Sequence, residues 1–310
     1  MQFFFEVLIG GLLAGVMYSL VALGFVLIYK ASGVFNFAQG AMVFFAALTF
    51  VSLVERGYSF WVAFLITFGA MVLFAIATER VVLRPLVNQA QITLFMATIG
   101  LTFVLEGLSQ LLWGSQPHGL ELGIEDMPLE WLSVNTGINV SQFDLFAAVV
   151  AGLLVAGLAL FFQKTRIGRA LRAVADDHQA ALAVGIPLQQ IWAIVWTVAG
   201  FVALVSGLLW GARNGVQFAL TFTALKALPV LILGGFESVA GAIVGGLIIG
   251  ASEKLAEIYI PQFLNGPLSQ AMGVSINLAG LEIWFPYALA LAFLLFRPEG
   301  LFGEKHIDRV

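Results

Sequence analysis

The sequence contains no cysteine. Disulfide bonds, thiol nucleophiles and thiolate metal sites are therefore excluded, and cysteine usage gives no information on the redox compartment. Charge is also scarce, because charged residues make up 10% of the chain against roughly a quarter in soluble domains. Hydrophobic residues make up 61% of the 310 positions, more than a water-soluble fold of this size could bury. The composition predicts an integral membrane protein.

The N-terminal segment lacks a basic residue before its apolar run, which a cleaved secretory signal peptide would carry. Its only early charge is Glu6, and the run is long enough to cross a membrane. We therefore expect this segment to be the first transmembrane helix.

Membrane-spanning helices need about 20 predominantly apolar residues. Nine candidate spans lie near residues 7–29, 36–54, 60–77, 92–113, 145–163, 191–212, 219–235, 238–257 and 283–296. The seventh is interrupted by Lys226 and Pro229, and the ninth is short. Proline, glycine and asparagine mark 114–143 and 258–281 as connecting loops. The predicted fold class is an all-α integral membrane protein, a polytopic helical bundle of about eight or nine transmembrane helices.

Lysine and arginine are unevenly distributed, and short cytoplasmic loops are enriched in them. The segment 164–190 opens with a cluster of basic residues, so we place it in the cytoplasm. Alternating the spans from there puts the N-terminus outside, the C-terminus inside and most basic residues in cytoplasmic loops: Lys30, Arg80, Arg84, Lys164, Arg166, Arg169, Arg172, Arg297, Lys305 and Arg309. The acidic loop 114–143 is then predicted to lie outside.

An internal repeat is visible, because residues 33–43 align with residues 234–244 without a gap. Glycine, phenylalanine, glycine, alanine and valine are identical in the two copies, and each copy follows an inward-running span. We expect a parallel repeat, with a first half near 7–113 and a second half near 191–296. The alternative is a chance recurrence of small residues in a glycine-rich chain.

The cytoplasmic segment 164–190 has the pattern of an amphipathic helix, which Gly185 and Pro187 would end. Its apolar face consists of Leu171, Val174, Ala175 and Leu182. That face needs a protein surface to cover it. The alternative is a helix that lies on the lipid headgroups.

Polar residues inside spans are costly unless they face protein, water or a ligand. Those at or near the two repeat copies are candidates for the translocation pathway, together with adjacent glycines: Asn36, Gln39, Gly40, Lys226, Gly234, Gly235, Glu237 and Ser238. Lys226 is either a gate or structural ion pair, or a sign that the span boundary is misplaced. We expect Glu253, Lys254 and Glu257 to reach outward or to pair with one another.

Four motifs occur in order along the chain: Tyr18–Leu20 followed by Gly33–Gly40, Arg166–Ile186, Lys226–Gly235 followed by Gly241–Gly246, and Arg297–Gly303. Together they resemble the motifs of permeases of the branched-chain amino acid family of ABC importers. Gln39 stands where a histidine is more usual in that family. The resemblance covers most of the chain and identifies 164–190 as the loop that couples a permease to its ATPase. The coupling residues it indicates are Arg166, Gly168, Arg169, Arg172, Asp176, Asp177 and Gly185.

The resemblance implies a second permease subunit, two cytoplasmic ATPase subunits and an extracytoplasmic solute-binding protein, in the inner membrane. Membrane lipid is a further expected partner, nucleic acid is not, and no cofactor is expected beyond ATP on the partner subunits. A phosphate-binding loop needs glycine directly before its lysine. No lysine here follows a glycine, so the ATPase must be a separate chain.

Two other functions remain open. A secondary transporter or channel for a small polar solute, such as an amide or urea, would need its own ion-coupling residues, and a chain of mid-membrane acids is not evident. An intramembrane enzyme would need a catalytic cluster, but the histidines His118, His178 and His306 fall in separate loops. The adjacent Asp176 and Asp177 would point about 100° apart on a helix. We therefore expect a transport subunit without catalysis of its own.

Overall fold

The computed structural model describes residues 2–86, 89–176, 178–264 and 280–303. Its α-helices are α1 (Gln2–Ser32), α2 (Gln39–Glu55), α3 (Phe60–Ala77), α4 (Gln91–Trp113), α5 (Glu130–Thr136), α6 (Gln142–Lys164), α7 (Arg166–Asp176), α8 (His178–Ala183), α9 (Leu188–Asn214), α10 (Thr223–Lys226), α11 (Leu228–Gly234), α12 (Val239–Phe263) and α13 (Leu281–Leu294). A π-helical stretch, Thr78–Leu83, and a 3₁₀ turn, Arg84–Leu86, extend α3.

Each predicted span coincides with helical structure, which confirms an all-α polytopic membrane fold. Within the described ranges, six helices are long and apolar enough to cross a membrane: α1, α3 with its extension, α4, α6, α9 and α12. Three shorter apolar stretches are Gln39–Glu55, Phe218–Gly234 and Leu281–Leu294. Helices prevail because hydrocarbon offers no partners to backbone N–H and C=O groups, which a helix pairs internally.

The seventh span is a broken helix, whereas the sequence predicts a continuous one over 219–235. A 3₁₀ turn over Phe218–Phe222 leads into α10, and α11 begins only after a break at Ala227. Pro229 accounts for the break, because it has no N–H to donate to the carbonyl of Leu225 and its ring crowds that turn. The span is therefore two short helical pieces with Lys226 beside the gap.

The predicted loop boundaries need two corrections. Helix α12 continues to Phe263 through Pro261, so the loop predicted from residue 258 begins too early. Pro261 lies in the last turn of α12, where its missing N–H removes one backbone hydrogen bond from the helix end. The loop 114–143 contains the short helix α5, which was not predicted because the prolines and glycines of this segment indicated a loop throughout. Residues 265–279 and 304–310, with His306, Lys305 and Arg309, lie outside the described residues.

The chain divides into two compact units. Unit 1 comprises Met1–Ser19, Gly123–Gly152 and Lys226–Val310, and within it α11, α12 and α13 pack against one another. Unit 2 comprises Leu20–Leu122 and Leu153–Leu225, where α2 packs against α3, α4 and α9. Helices α7 and α8 also belong to unit 2 and contact α9.

Candidate translocation and coupling sites

Helices α1 and α12 approach backbone to backbone through glycines of unit 1. A Cβ atom added to Gly11 would lie 2.7 Å from the carbonyl oxygen of Gly250, and one added to Gly15 would lie 2.5 Å from that of Gly246. Glycine permits this approach in a membrane, where packing holds helices together. Because the residue number rises along one helix as it falls along the other, the two helices run antiparallel.

A charged cluster in the same unit consists of Tyr18 on α1, Glu253 on α12 and Lys226. Glu253 Oε1 accepts a hydrogen bond from the Tyr18 hydroxyl at 3.1 Å and pairs with Lys226 Nζ at 3.4 Å. The Glu253 side chain is 4% exposed and that of Lys226 is 38% exposed. Side chains on a helix lean toward its N-terminus, so Tyr18 and Glu253 lean toward each other from antiparallel helices.

The prediction for the charges of α12 is partly wrong. Lys254 and Glu257 do pair with each other, at 2.7 Å, and both side chains are more than a third exposed. Glu253 neither reaches outward nor joins that pair, because it is buried against Tyr18 and Lys226. Adjacent positions on a helix point about 100° apart, so Glu253 and Lys254 have different surroundings.

Lys226 is the last residue of α10 and lies at the break in the seventh span. The sequence allowed either a gate or ion pair at Lys226 or a misplaced span boundary. In the structure Lys226 forms an ion pair with Glu253. The ammonium also lies 6.0 Å from the ring centroid of Tyr18, within the range of a cation–π contact. Broken helices leave backbone groups unpaired by their own helix, and transporters place such breaks beside solute sites.

The second repeat copy contacts the C-terminal motif in unit 1. The backbone N–H of Leu301 donates to the carbonyl of Leu233 at 2.8 Å, which satisfies an acceptor at the end of α11. Gly235 has a φ of +101°, and a Cβ there would lie 2.8 Å from the backbone nitrogen of Gly303. A Cβ on Gly234 would lie closer still to the carbonyl oxygen of Gly241. These glycines therefore allow three backbone segments to meet.

The remaining second-copy residues lie at the start of α12. Ser238 is the N-cap, and its hydroxyl oxygen accepts a hydrogen bond from the Gly241 N–H at 2.9 Å. Glu237, one position earlier, is exposed. Ser238 thus stabilises the helix entry, whereas Glu237 lies outside the buried cluster of Tyr18, Lys226 and Glu253.

The first repeat copy forms a neutral polar cluster in unit 2. Asn36 and Gln39 are fully buried. The Asn36 side chain accepts a hydrogen bond from the Ala38 N–H at 3.1 Å and donates one to Gln39 Oε1 at 3.4 Å. Gly24 leaves room for Gln39, because a Cβ there would lie 2.5 Å from Gln39 Nε2. The amides thereby satisfy part of each other's hydrogen-bonding capacity without a charge.

Glycines also fix the packing around this copy in unit 2. Gly40 lies against the carbonyl of Thr221, in the 3₁₀ turn before α10, and leaves no space for a side chain. A Cβ on Gly207 of α9 would lie 2.6 Å from the carbonyl oxygen of Val43 on α2. The predicted residues Asn36, Gln39 and Gly40 are therefore brought together, but as a closely packed core.

The predicted coupling segment presents a basic surface and buries an apolar one. Its exposed charged residues among those described are Lys164, Arg166, Arg169, Arg172 and Asp176. Leu171 and Val174 are buried where α7 packs against α8 and α9, so the chain itself covers most of the predicted apolar face. Arg172 Nη1 donates to the carbonyl of Phe162 at 2.8 Å, which ties α7 to the end of α6.

The second half of the coupling segment departs from the predicted face. Leu182 is 53% exposed, whereas Ala181 is buried, so this chain itself does not cover Leu182 of the predicted apolar face. The predicted stop is confirmed: α8 ends at Ala183, and Gly185 turns the chain with a φ of +84°. Asp177 lies outside the described residues.

A buried carboxylate in unit 2 escaped the sequence analysis, which used Arg84 only for topology. Glu79 is 3% exposed in the π-helical extension of α3. Arg84 donates to it from Nε at 3.1 Å and from Nη2 at 3.2 Å, in a two-pronged pair. The wider helical turn brings positions five apart together, a spacing that a search for α-helical pairs passes over.

A histidine in the loop before α5 pairs with a glutamate at the end of α2. His118 Nδ1 lies 2.9 Å from Glu55 Oε1, and the His118 backbone bridges to Val216. These loops of unit 2 are predicted to share the outer side of the membrane. Across the described part of the chain, no three histidine or acidic side chains lie close enough to hold a metal ion.

A family model and three relatives all indicate the same kind of transport protein. The family described as "Branched-chain amino acid transport system / permease component" matches residues 7–296. The high-affinity branched-chain amino acid transport system permease protein BraD of Pseudomonas aeruginosa is 27% identical, over 99% of this chain and 98% of its own. Protein LivH of the same description from Escherichia coli is 26% identical over the same shares. A probable branched-chain amino acid transport permease LivH of Methanocaldococcus jannaschii is 29% identical, over 92% and 88%.

Proposed function

The chain belongs to the family of branched-chain amino acid transport system permease components. We propose that it carries branched-chain amino acids across the membrane as part of an ATP-driven importer. One observation carries this proposal: the relatives named for such transport align over 99% of this chain and 98% of their own. The apolar multi-helix fold provides the membrane path, and a permease component leaves ATP hydrolysis to another chain.

We propose that α7 and α8 bind a cytoplasmic ATPase subunit. The basic side chains of Arg166 and Arg169 are exposed on α7, while Leu171 and Val174 are buried and α7 packs against α8 and α9. The Arg172 bond to Phe162 links the same helix to α6. A force applied to α7 would therefore reach two long helices, which is what coupling requires. By the same proposal the complex has two ATPase subunits and a second, related permease subunit.

The ATPase contact has a direct test with a matched control. We expect affinity-tagged chain, purified from its native membrane, to bring an ATPase with it, and Arg169→Glu to abolish that association. Arg56→Glu is the control, because Arg56 is equally exposed but lies at the predicted outer end of α2. Loss of the ATPase from both variants, or from neither, would contradict the assigned surface.

The orientation with the N-terminus outside and the C-terminus in the cytoplasm of the inner membrane is also a proposal. It places the acidic loop 114–143 where a solute-binding protein would dock. Because the chain lacks cysteine, single-cysteine variants report one position each. A membrane-impermeant thiol reagent on intact cells should label Asn135→Cys, in exposed α5, and not Arg169→Cys. The reverse labelling would invert the topology.

We propose that the two halves, 7–113 and 191–296, are parallel repeats. In the first copy α1 ends before Gly33, with a φ of +67°, and Asn36 binds a backbone amide ahead of α2. In the second copy α11 ends before Gly235, and Ser238 caps α12. The same order of helix end, left-handed glycine and polar side chain before the next helix recurs, one residue later in the second copy than the gapless alignment places it, and this order supports a parallel repeat.

A further inference from the structure

The Glu253 carboxylate is buried with half of its hydrogen-bonding capacity unused. Oε1 accepts from Tyr18 and Lys226, whereas Oε2 is inaccessible and has no hydrogen-bond partner among the described residues. Burying a charge is costly unless it is paired and hydrogen-bonded. An ion pair that served stability alone would therefore be expected to satisfy both oxygens.

The surroundings of this carboxylate indicate a path for a polar molecule. Glu253 lies near the middle of α12 and Tyr18 near the middle of α1, so both are far from the ends of their spans. Lys226 lies at the break in the seventh span and keeps 38% of its side chain exposed. Ionisable groups at such depth mark substrate pathways, and broken helices border them.

We propose that Lys226 and Glu253 bind the two charged main-chain groups of an α-amino acid during its passage. Glu253 receives the α-ammonium group, for which Oε2 is the unused acceptor, and Lys226 receives the α-carboxylate. The Lys226 ammonium has three N–H donors, and the ion pair with Glu253 needs one of them. Tyr18 positions the Glu253 carboxylate through its hydroxyl. This inference rests on the proposed function and specifies where the solute binds.

The chemistry favours a zwitterion over an ion of one sign. With no solute, Lys226 and Glu253 neutralise each other at 3.4 Å. When a zwitterion enters, each protein charge exchanges its partner for the opposite charge of the solute, and the site stays neutral throughout. A solute with one charge would leave one protein group unpaired in a medium of low dielectric, which is strongly unfavourable. The side chain of the amino acid takes no part in this recognition.

The test compares two charge pairs that each include a glutamate of α12, in the complete copurified complex reconstituted in proteoliposomes. Lys226→Met with Glu253→Gln removes both charges of the proposed site, so that no unpaired charge remains to unfold the protein. Lys254→Met with Glu257→Gln removes the neighbouring, partly exposed pair as the control. Radiolabelled leucine uptake and ATP hydrolysis are measured together.

We expect leucine imported per ATP hydrolysed to fall about tenfold or more in the Lys226/Glu253 variant. The control variant should stay within about twofold of the unmodified complex. Equal losses in the two variants, or a parallel fall of uptake and hydrolysis in the Lys226/Glu253 variant, would mean that the pair has a structural role and would overturn the inference.

A second measurement uses the unmodified complex, in case the double variant does not assemble. A hydrophobic carbodiimide is added during ATP turnover, and adducts on Glu253 and Glu257 are quantified by mass spectrometry. We expect leucine-loaded binding protein to lower the adduct on Glu253 severalfold and to leave that on Glu257 unchanged. An adduct on Glu253 that is absent or insensitive to leucine would contradict the inference.

Failure of this inference is distinguishable from failure of the proposed function. If the unmodified complex imports leucine with ATP and the Lys226/Glu253 variant does so equally well, only the binding site is wrong. If the unmodified complex does not import leucine at all, the proposed function itself is wrong.

Discussion

Each unit contains a buried polar cluster at or near a repeat copy, and the two clusters offset the cost of burying polar groups in different ways. In unit 2, Asn36 and Gln39 are neutral and bond to each other and to the backbone. In unit 1, Glu253 and Lys226 are charged, and their mutual attraction offsets the loss of hydration. Removing one partner therefore costs a hydrogen bond in unit 2 but leaves an unpaired charge in unit 1. Of these two clusters, the charged one has the stronger reason to exchange partners with a solute.

The largest effect on stability should come from Lys226→Met, which leaves Glu253 charged and buried. We expect the free energy of unfolding in detergent to fall by about 3–5 kcal/mol. Adding Glu253→Gln should recover most of that loss, since the remaining groups are neutral. If the single and double variants were equally destabilised, the side-chain volume of Lys226 would matter more than its charge.

A glycine contact of unit 1 should give the next largest effect. Gly11→Val places methyl groups where the backbone of Gly250 lies, so α1 and α12 must separate, at a cost of about 1–3 kcal/mol. Gly10→Val is the matched control, because a Cβ at Gly10 meets no atom within 4 Å. Equal unfolding midpoints for the two variants would show that α1 and α12 are not in close contact.

The neutral cluster of unit 2 should be less sensitive than the charged one. Asn36→Ala leaves the Ala38 N–H and the Gln39 side chain without their partner, for a loss of roughly 1–3 kcal/mol. Ser238→Ala removes the helix cap at the other repeat copy and should cost about 1 kcal/mol. Chemical denaturation of both variants checks the order. A loss for Asn36→Ala as large as that of Lys226→Met would erase the distinction between the clusters.

The smallest effect should come from Lys254→Met, one position along from Glu253. Lys254 pairs with Glu257 at 2.7 Å, closer than the 3.4 Å of the Lys226 pair, but both side chains are more than a third exposed. A pair with such access to its surroundings contributes about 0–1 kcal/mol. The same denaturation measurement should therefore show that the burial of an ion pair affects stability more than the distance between its charges. A loss as large as that of Lys226→Met would reverse that ranking.

Long apolar runs made the helices predictable. A local motif also made the neutral cluster of Asn36 and Gln39 predictable, but not the charged cluster of Glu253 and Lys226. Asn36 and Gln39 stand three positions apart at the start of α2, so their contact is local. Tyr18 and Glu253 are 235 positions apart, and no pattern in either segment indicates the other. Glu253 was misassigned because Glu253, Lys254 and Glu257 together have the spacing of an exposed charge ladder.

The break in the seventh span shows a different limit of the sequence. Pro229 and Lys226 are visible disturbances, yet hydropathy averages over them and predicts a continuous helix. The contact of Leu301 with Leu233 was equally hidden, because it joins two motifs that were found separately. Composition and periodicity describe each segment alone, whereas these contacts depend on how segments meet.

We propose that this chain transports leucine-like amino acids only as part of an ATP-driven complex. The most direct test is leucine uptake into proteoliposomes that contain the chain with its copurified permease partner, ATPase subunits and binding protein. Leucine should accumulate with ATP on the side of the ATPase and stop when either ATP or this chain is omitted. Full leucine uptake by this chain alone, without ATP, would show a secondary transporter or channel and contradict the account.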